Sequence, residues 1–302
     1  MLVRFLLALL LTFPVAAGHA QAPPAATPSA AERERALASA WEAASQAAKR
    51  GPATVALIDQ GSFAVPAGAV YIPLPQAAAL MRAMGNTVRP NMLGVLASES
   101  GDDWMAVLTF VKEGHIKDDD AREWNADDLL ASLREGTAAG NEERRRRGFP
   151  GLELIGWIEK PAYDAATQRL VWSVNARQEG AAPDADRTVN YNTYVLGREG
   201  YFSLNFLTSE KLIPAQKPVA HGLLAGLSFV DGKRYADFDA STDKVAAYGL
   251  AALVGGAALK KFGLFAVIGA FLLKFSKLGL LLLIPVLWIG RKLFTRRGGG
   301  QS

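Results

Sequence analysis

The chain has 302 residues, half of them hydrophobic, and it contains no cysteine, which excludes disulfide bonds and thiol chemistry. Charge is distributed unevenly along it. Residues 1–20 and 244–302 hold one and nine basic residues and no acid, so residues 21–243 keep 23 Lys and Arg against 29 Asp and Glu, a formal charge of −6. An acidic body lacks the clustered basic face that nucleic acid requires, so we expect no nucleic-acid partner.

The N-terminus, residues 1–20, has the layout of a secretory signal peptide. Arg4 precedes an apolar run over residues 5–13, and small residues occupy the positions that determine cleavage, Gly18 and Ala20. The run is too short to span a bilayer, although an uncleaved anchor is the alternative. Residues 21–50 are then predicted to form a Pro- and Ala-rich leader followed by a first helix.

The C-terminal tail, residues 241–297, is predicted to anchor the protein in the membrane. Residues 245–297 are apolar apart from a few basic residues, so the lipid bilayer is their expected partner. The apolar stretches are short: a segment of about 13 residues makes a helix of roughly 20 Å, against ~30 Å of hydrocarbon. One crossing over about residues 275–290 is favoured over three, and a buried helical hairpin is the other alternative. Residues 298–302 are expected to be disordered.

The basic end of the tail also predicts how the protein is oriented across the membrane. Lys and Arg accumulate on the cytoplasmic side of membrane segments, so the C-terminus is expected in the cytoplasm. The body is then expected in the periplasm, on the outer face of the inner membrane.

Residues 51–240 are predicted to form a periplasmic α+β domain, an antiparallel meander sheet with flanking helices. Asn125 is expected to cap one helix and Ser241 the helix that enters the tail. The predicted helices cover residues 32–50, 75–84, 125–147 and 214–227. The predicted strands cover residues 54–58, 63–72, 92–97, 104–111, 152–159, 169–177, 188–196 and 201–207.

The last hairpin of this domain gives the candidate binding residues. The loop at 197–200 places Leu196 opposite Tyr201, so alternation sends one set of side chains to the core and leaves a polar set on the other face. Amide and phenol groups on a rigid sheet suit hydrogen bonding to a polymer, a sugar or a partner's edge. The alternatives are a solvated outer face and a face sealed by another element. The polar set is Asn192, Tyr194, Tyr201, Ser203 and Asn205.

No catalytic residue and no cofactor are predicted. The sequence lacks a nucleophile elbow, a phosphate loop, a dinucleotide fingerprint and a His-Glu-x-x-His pair. One metal site is conceivable, because His115 stands near Asp118 and Asp120 in a predicted turn, and such side chains bind Ca²⁺ or a transition metal. Solvated loop acids are the competing interpretation. His221 is interpreted as a structural histidine of a helix.

Seven short runs stand out along the chain: IKDDDA at 116–121, LREG at 133–136, GW at 156–157, NYNTY at 190–194, GREGY at 197–201, GKRYADF at 232–238 and STDKV at 241–245. Together they resemble one bacterial family of predicted membrane-anchored proteins, domain of unknown function 2167. The resemblance covers about residues 35–275 and implies an exported domain with a C-terminal anchor, but it brings no activity and no site residues. The order of elements also resembles the Mog1/PsbP-like α+β sandwich.

Together these features predict a membrane-anchored periplasmic protein that acts as a non-enzymatic binding or assembly module of the cell envelope. Its expected partner, besides the bilayer, is an envelope protein or a glycan. The rival interpretation is an envelope hydrolase or metal-dependent enzyme that uses His115 and Asp118–Asp120.

Overall fold

The computed structural model describes residues 29–255 apart from residues 123 and 147, so the predicted signal peptide and most of the predicted membrane tail lie outside the described residues. The helices are α1 (Ala30–Ala47), α2 (Gln76–Ala83), α3 (Ala126–Arg146), α4 (Ile213–Ala225) and α5 (Ala251–Gly255). The strands are β1 (Lys49–Arg50), β2 (Ala53–Leu57), β3 (Gly61–Val65), β4 (Ala69–Pro73), β5 (Met92–Ser98), β6 (Met105–Val111), β7 (Leu152–Asp164), β8 (Arg169–Gln178), β9 (Thr188–Leu196), β10 (Tyr201–Ser209) and β11 (Leu227–Phe229).

An eight-stranded sheet with the order β1-β4-β5-β6-β10-β9-β8-β7 forms the centre of the molecule, and β11-β3-β2 form a second, small sheet. Neighbouring strands in both sheets are antiparallel. The predicted α+β class with an antiparallel sheet and flanking helices is therefore confirmed. The predicted strand over 63–72 is in fact two strands, because the chain turns at Gly68, whose φ of +79° suits glycine.

The β9–β10 hairpin has the register that the turn length and the alternation predict. Leu196 pairs with Tyr201, and Asn192 pairs with Asn205. On its other side β10 pairs with β6, which places Thr109 beside Ser203. Three adjacent strands, β6, β10 and β9, therefore share one rigid polar face.

The opposite face of the large sheet carries the main core. It packs against α4 and the small sheet, and its centre is aromatic: Phe206 stacks on Trp104 with ring centroids 5.3 Å apart. Burial of aromatic side chains of this size dominates core energetics. The largest fully buried side chains of this cluster are Phe63, Tyr191, Phe202 and Phe206.

Two separate helical layers cover the polar face at its two ends. At the β4–β5 end, α1 and α2 pack over a cluster that includes Leu80, Met81 and Val95. At the β7–β8 end, α3 and α5 pack over a cluster that includes Leu133 and Trp172. The strip between the two layers holds the candidate site, and Met81 of α2 lies at its edge.

The C-terminal segment, residues 239–255, differs from its prediction. No helix begins at Ser241, so this residue is not a helix cap. It lies in a turn, where its backbone N–H donates to the side chain of Asp239. The next helix is α5, and its side chains are buried in the domain, as is Leu250 just before it. This part of the predicted tail therefore packs against the domain. No helix among the described residues is long and apolar enough to cross a membrane.

Candidate ligand-binding site

All five side chains of the predicted polar set line one cavity of about 150 Å³. It lies on the strip between the two helical layers. Its floor is a grid of three strands, in which Val107, Asn205 and Asn192 form one row and Thr109, Ser203 and Tyr194 form the next. The remaining lining residues are Met81, Thr87, Arg89, Asn91, Met92, Val111 and Tyr201.

The amides on the floor hold each other in a fixed orientation. The Nδ2 of Asn205 donates to Oδ1 of Asn192 at 2.8 Å, and Nδ2 of Asn192 donates to the backbone oxygen of Asn190 at 3.4 Å. The remaining oxygen of the first amide, Oδ1 of Asn205, is buried and has no hydrogen-bond partner among the described residues. A buried acceptor without a partner costs about 1–3 kcal/mol.

Further polar groups around the cavity also lack internal partners. The hydroxyls of Thr109 and Ser203 and the side-chain amide of Asn91 make no hydrogen bond with the described residues. None of these three groups is among the buried polar atoms, so water reaches them in the free protein, and a ligand in the cavity can replace that water. No carboxylate lines the cavity, and its one lining arginine, Arg89, has an interaction within the protein.

The tyrosine end of the cavity is sealed. Tyr194 and Tyr201 are 9% and 6% exposed, and their rings meet at a centroid distance of 5.7 Å. Burial raises the pKa of Tyr201 to about 12, so its phenol is neutral at physiological pH. Tyr248 of the C-terminal segment packs in the same cluster. The predicted face is thus covered by another element at this end and open to solvent at Ser203 and Asn205.

The three candidate metal ligands have separate structural roles. Asp118 accepts a hydrogen bond from Tyr163 at 2.9 Å, and Asp120 accepts from the backbone N–H groups of Leu250 and Ala251 at 2.9 and 3.0 Å. His115 lies between the rings of Tyr235 and Phe238, with centroid distances of 4.2 and 3.9 Å. Burial lowers the pKa of His115. In the part of the chain that the structure describes, no three His, Cys, Asp or Glu side chains are grouped as metal ligands.

Four of the runs that carry the family resemblance meet at one corner, which we call the motif corner (residues 112–121, 197–201 and 232–251). Arg198 binds Asp243 through two hydrogen bonds of 2.7 and 2.9 Å. Glu199 contacts Lys112 at 2.9 Å and Lys233 at 2.7 Å, and these hydrogen bonds lower the pKa of Glu199 to about 2. The motif corner joins the C-terminal segment to the sheet.

A larger open groove of about 760 Å³ beside α3 is a weaker candidate. Its charged side chains are paired within the protein, unlike the polar groups of the cavity. The pairs are Arg145 with Glu179, Arg177 with Glu153, and Arg187 with Glu210.

Sequence reasoning missed the cavity residues outside the last hairpin, chiefly Arg89, Asn91 and Thr109. One signal existed, since Thr109 is a polar residue in the otherwise apolar strand 104–111. Its position became meaningful only once β6 was known to pair with β10. His221, interpreted as structural, lies on the core side of the sheet with Nε2 2.8 Å from the hydroxyl of Tyr191.

The chain matches one family model and is similar to solved structures of other proteins. A family model described as "Protein of unknown function (DUF2167)" matches residues 49–286. Cyanobacterial PsbP from Synechocystis is similar in structure, at 11% identity and a TM-score of 0.37, over 59% of this chain and 92% of that one. The Ran-binding protein Mog1p of Saccharomyces cerevisiae is similar at 13% identity and a TM-score of 0.32, over 62% of this chain and 98% of that one. No curated protein matches the chain.

Proposed function

This chain belongs to the DUF2167 family, whose function is unknown, and we propose that it is a non-enzymatic binding module of the cell envelope that captures a polar ligand in the cavity. The observation that carries the proposal is the convergence of polar side chains on one concave site, where the hydroxyls of Thr109 and Ser203 and the amide of Asn91 make no hydrogen bond with the described residues. Water pairs with these groups in the free protein, and a polar ligand that replaces this water can keep their hydrogen bonds.

The placement in the envelope is part of the proposal and is supported by the sequence. The N-terminal 20 residues have the pattern of an export signal, and the chain beyond residue 255 is apolar with a basic end. We propose that this tail holds the module on the inner membrane with its body in the periplasm. A periplasmic position is compatible with a domain that has no cysteine to oxidise.

Two measurements on the full-length chain test the location. The chain should fractionate with the inner membrane, and a reporter fused near residue 240 should be active only on the periplasmic side. A soluble full-length chain, or a reporter active only in the cytosol, would rule the location out.

Photo-crosslinking in cells tests the binding site. A photoreactive amino acid at Ser203, on the cavity floor, should give an adduct with a molecule of the envelope. The same amino acid at Thr54, which is exposed on the small sheet away from the cavity, is the matched control. Identical adducts from both positions, or no adduct from Ser203, would contradict the proposed function.

A further inference from the structure

The C-terminal segment is held to the domain at His115, in the stretch that follows β6. The backbone N–H of His115 donates to the backbone oxygen of Lys244 at 2.8 Å, and its own backbone oxygen accepts from the N–H of Ala246 at 2.9 Å. These two bonds make a parallel bridge between His115 and Val245. The histidine therefore binds the segment through its backbone a few residues before the buried Leu250.

The imidazole ring of His115 is enclosed by the residues that lead into the segment. It lies between the rings of Tyr235 and Phe238, and only 7% of the residue is exposed. Its Nδ1 is buried and has no hydrogen-bond partner among the described residues. A neutral ring can leave Nδ1 as a bare acceptor, whereas a protonated ring carries an N–H on both nitrogens. Protonation would thus bury an unpaired donor together with a positive charge, and both are costly.

The charged groups around the ring do not offset this cost. Asp118 and Asp243 favour a protonated ring, and Lys117 opposes it. The carboxylate of Asp243 is already paired with Arg198 through two hydrogen bonds. Burial raises the pKa of the stacked Tyr235, so its phenol is neutral and adds no charge. Burial of the imidazole is therefore the largest effect, and it lowers the pKa of the ring below its usual 6.5.

The same segment covers the tyrosine end of the cavity. Tyr248 packs in one cluster with Tyr194 and Tyr201, which are two of the lining residues. A movement of the segment away from the domain would uncover these two rings and enlarge the open part of the cavity.

We propose that His115 is an acid-sensitive latch, which holds the C-terminal segment over the tyrosine end of the cavity and releases it when the ring gains a proton. This inference rests on the proposed function, because it gives the regulation of the same site. Histidine changes its charge between pH 5 and 8, so a modest acidification is enough. The released ring takes up a proton below a pKa of about 6.5, whereas the docked ring does so only at lower pH. Docking is therefore complete above pH 6.5 and weakens as pH falls.

Hydrogen exchange of the full-length protein in detergent micelles measures the opening. The amides of Ala246 and Leu250 donate to His115 and Asp120, so they exchange when the segment opens. After correction for the intrinsic pH dependence of exchange, the opening constant at these amides should rise about three- to tenfold from pH 7.5 to 5.5, tenfold being the limit for one proton with a free pKa of 6.5. The amides of β10 should show no change, because the domain itself stays folded.

Two substitutions of His115 remove the proton site. His115→Phe keeps a flat ring between the two aromatic rings, and His115→Gln keeps polar atoms in case the first variant does not fold. Either variant should open equally at both pH values. His221→Gln is the matched control, because His221 is the other histidine of the described residues and is exposed on α4. It should keep the full wild-type response.

Thiol labelling measures the cover over the cavity. The chain has no cysteine, so the thiol of Tyr201→Cys is the single one present and reports access to the tyrosine end. Its labelling rate, relative to the unfolded chain at the same pH, should rise about three- to tenfold from pH 7.5 to 5.5, as the opening does. The double variant Tyr201→Cys, His115→Phe carries the same thiol and should show no rise.

The inference is overturned if the opening of the wild-type segment does not change with pH, or if the change persists in both His115 variants. It is also overturned if β10 exchanges in step with the segment, because the whole domain then opens, or if the segment opens while the thiol of Tyr201→Cys stays protected. Failure of the proposed function is a different result: a photoreactive group at Ser203 that captures nothing in cells removes the ligand and leaves the acid response of the segment unchanged.

Discussion

The cavity and the motif corner differ in whether their polar side chains have partners within the protein. At the motif corner, Arg198 is paired with Asp243, Glu199 with two lysines, and Asp120 with two backbone N–H groups. In the cavity, Thr109, Ser203 and one oxygen of Asn205 have no partner among the described residues. Paired groups stabilise the fold, whereas solvent-accessible polar groups without an internal partner are available to bind a ligand.

This contrast indicates that the four runs at the motif corner stabilise the fold. They join the C-terminal segment, which precedes the apolar tail, to the turn between β9 and β10. The neighbouring run at 190–194 supplies both Asn192 and Tyr194 to the cavity. Substitutions at the two regions should therefore separate: those at the motif corner should lower stability, and those in the cavity should lower binding.

The largest effect should come from Leu250, which is fully buried where the C-terminal segment packs against the domain. Leu250→Ala should lower the free energy of unfolding by about 3 kcal/mol, because the lost burial and the new cavity add up. Urea unfolding of the full-length protein in detergent, followed by tryptophan fluorescence, measures this. Val230→Ala, at a side chain that is 44% exposed, is the control and should cost under about 0.5 kcal/mol. Equal costs would show that the segment is not part of the core.

Asp120 should have the next largest effect. Asp120→Ala removes the acceptor of two backbone N–H groups at the start of α5 and should cost about 2 kcal/mol. Gly249 makes the approach possible, since a Cβ there would lie 2.4 Å from Oδ2 of Asp120. The neighbouring exposed Asp119→Ala is the matched control. If Asp120 instead served a metal, added Ca²⁺ or Zn²⁺ would raise the wild-type melting temperature and leave Asp120→Ala unchanged.

Glu199 should make stability depend on acid pH. Its pKa falls from 4.5 when unfolded to about 2 when folded, so its contribution is complete above pH 4.5 and is lost as pH falls towards 2. The side chain is partly exposed, so solvent screening reduces the contribution to about 1 kcal/mol. Glu199→Gln should flatten the stability profile between pH 4.5 and 2, whereas Glu142→Gln, at an exposed site on α3, should not. An unchanged profile in Glu199→Gln would show that the two lysines add nothing.

The parts of the fold and of the site that could be predicted from the sequence are those formed by residues close together along the chain. The register of β9 and β10 followed from a four-residue loop and alternation, both local, and so did one side of the cavity floor. The place of Thr109 in the cavity was out of reach, because it depends on β6 pairing with β10, more than ninety residues away along the chain. The acidic run at 118–120 looks the same whether it binds a metal, water or backbone N–H groups. Only the approach of Leu250, 130 residues away, distinguishes these roles.

The smallest effect on stability should come from the cavity, and one pair of threonines isolates it. Thr109→Val removes a hydroxyl that has no internal partner, so stability should change by less than about 0.5 kcal/mol. Thr193→Val makes the same chemical change on the opposite face, where the hydroxyl is buried and donates to the backbone oxygen of Leu204 at 2.8 Å. It should cost about 1 kcal/mol. If Thr109→Val cost as much as Thr193→Val, the Thr109 hydroxyl would already be satisfied within the protein. The cavity would then lose one of the groups that point to a ligand.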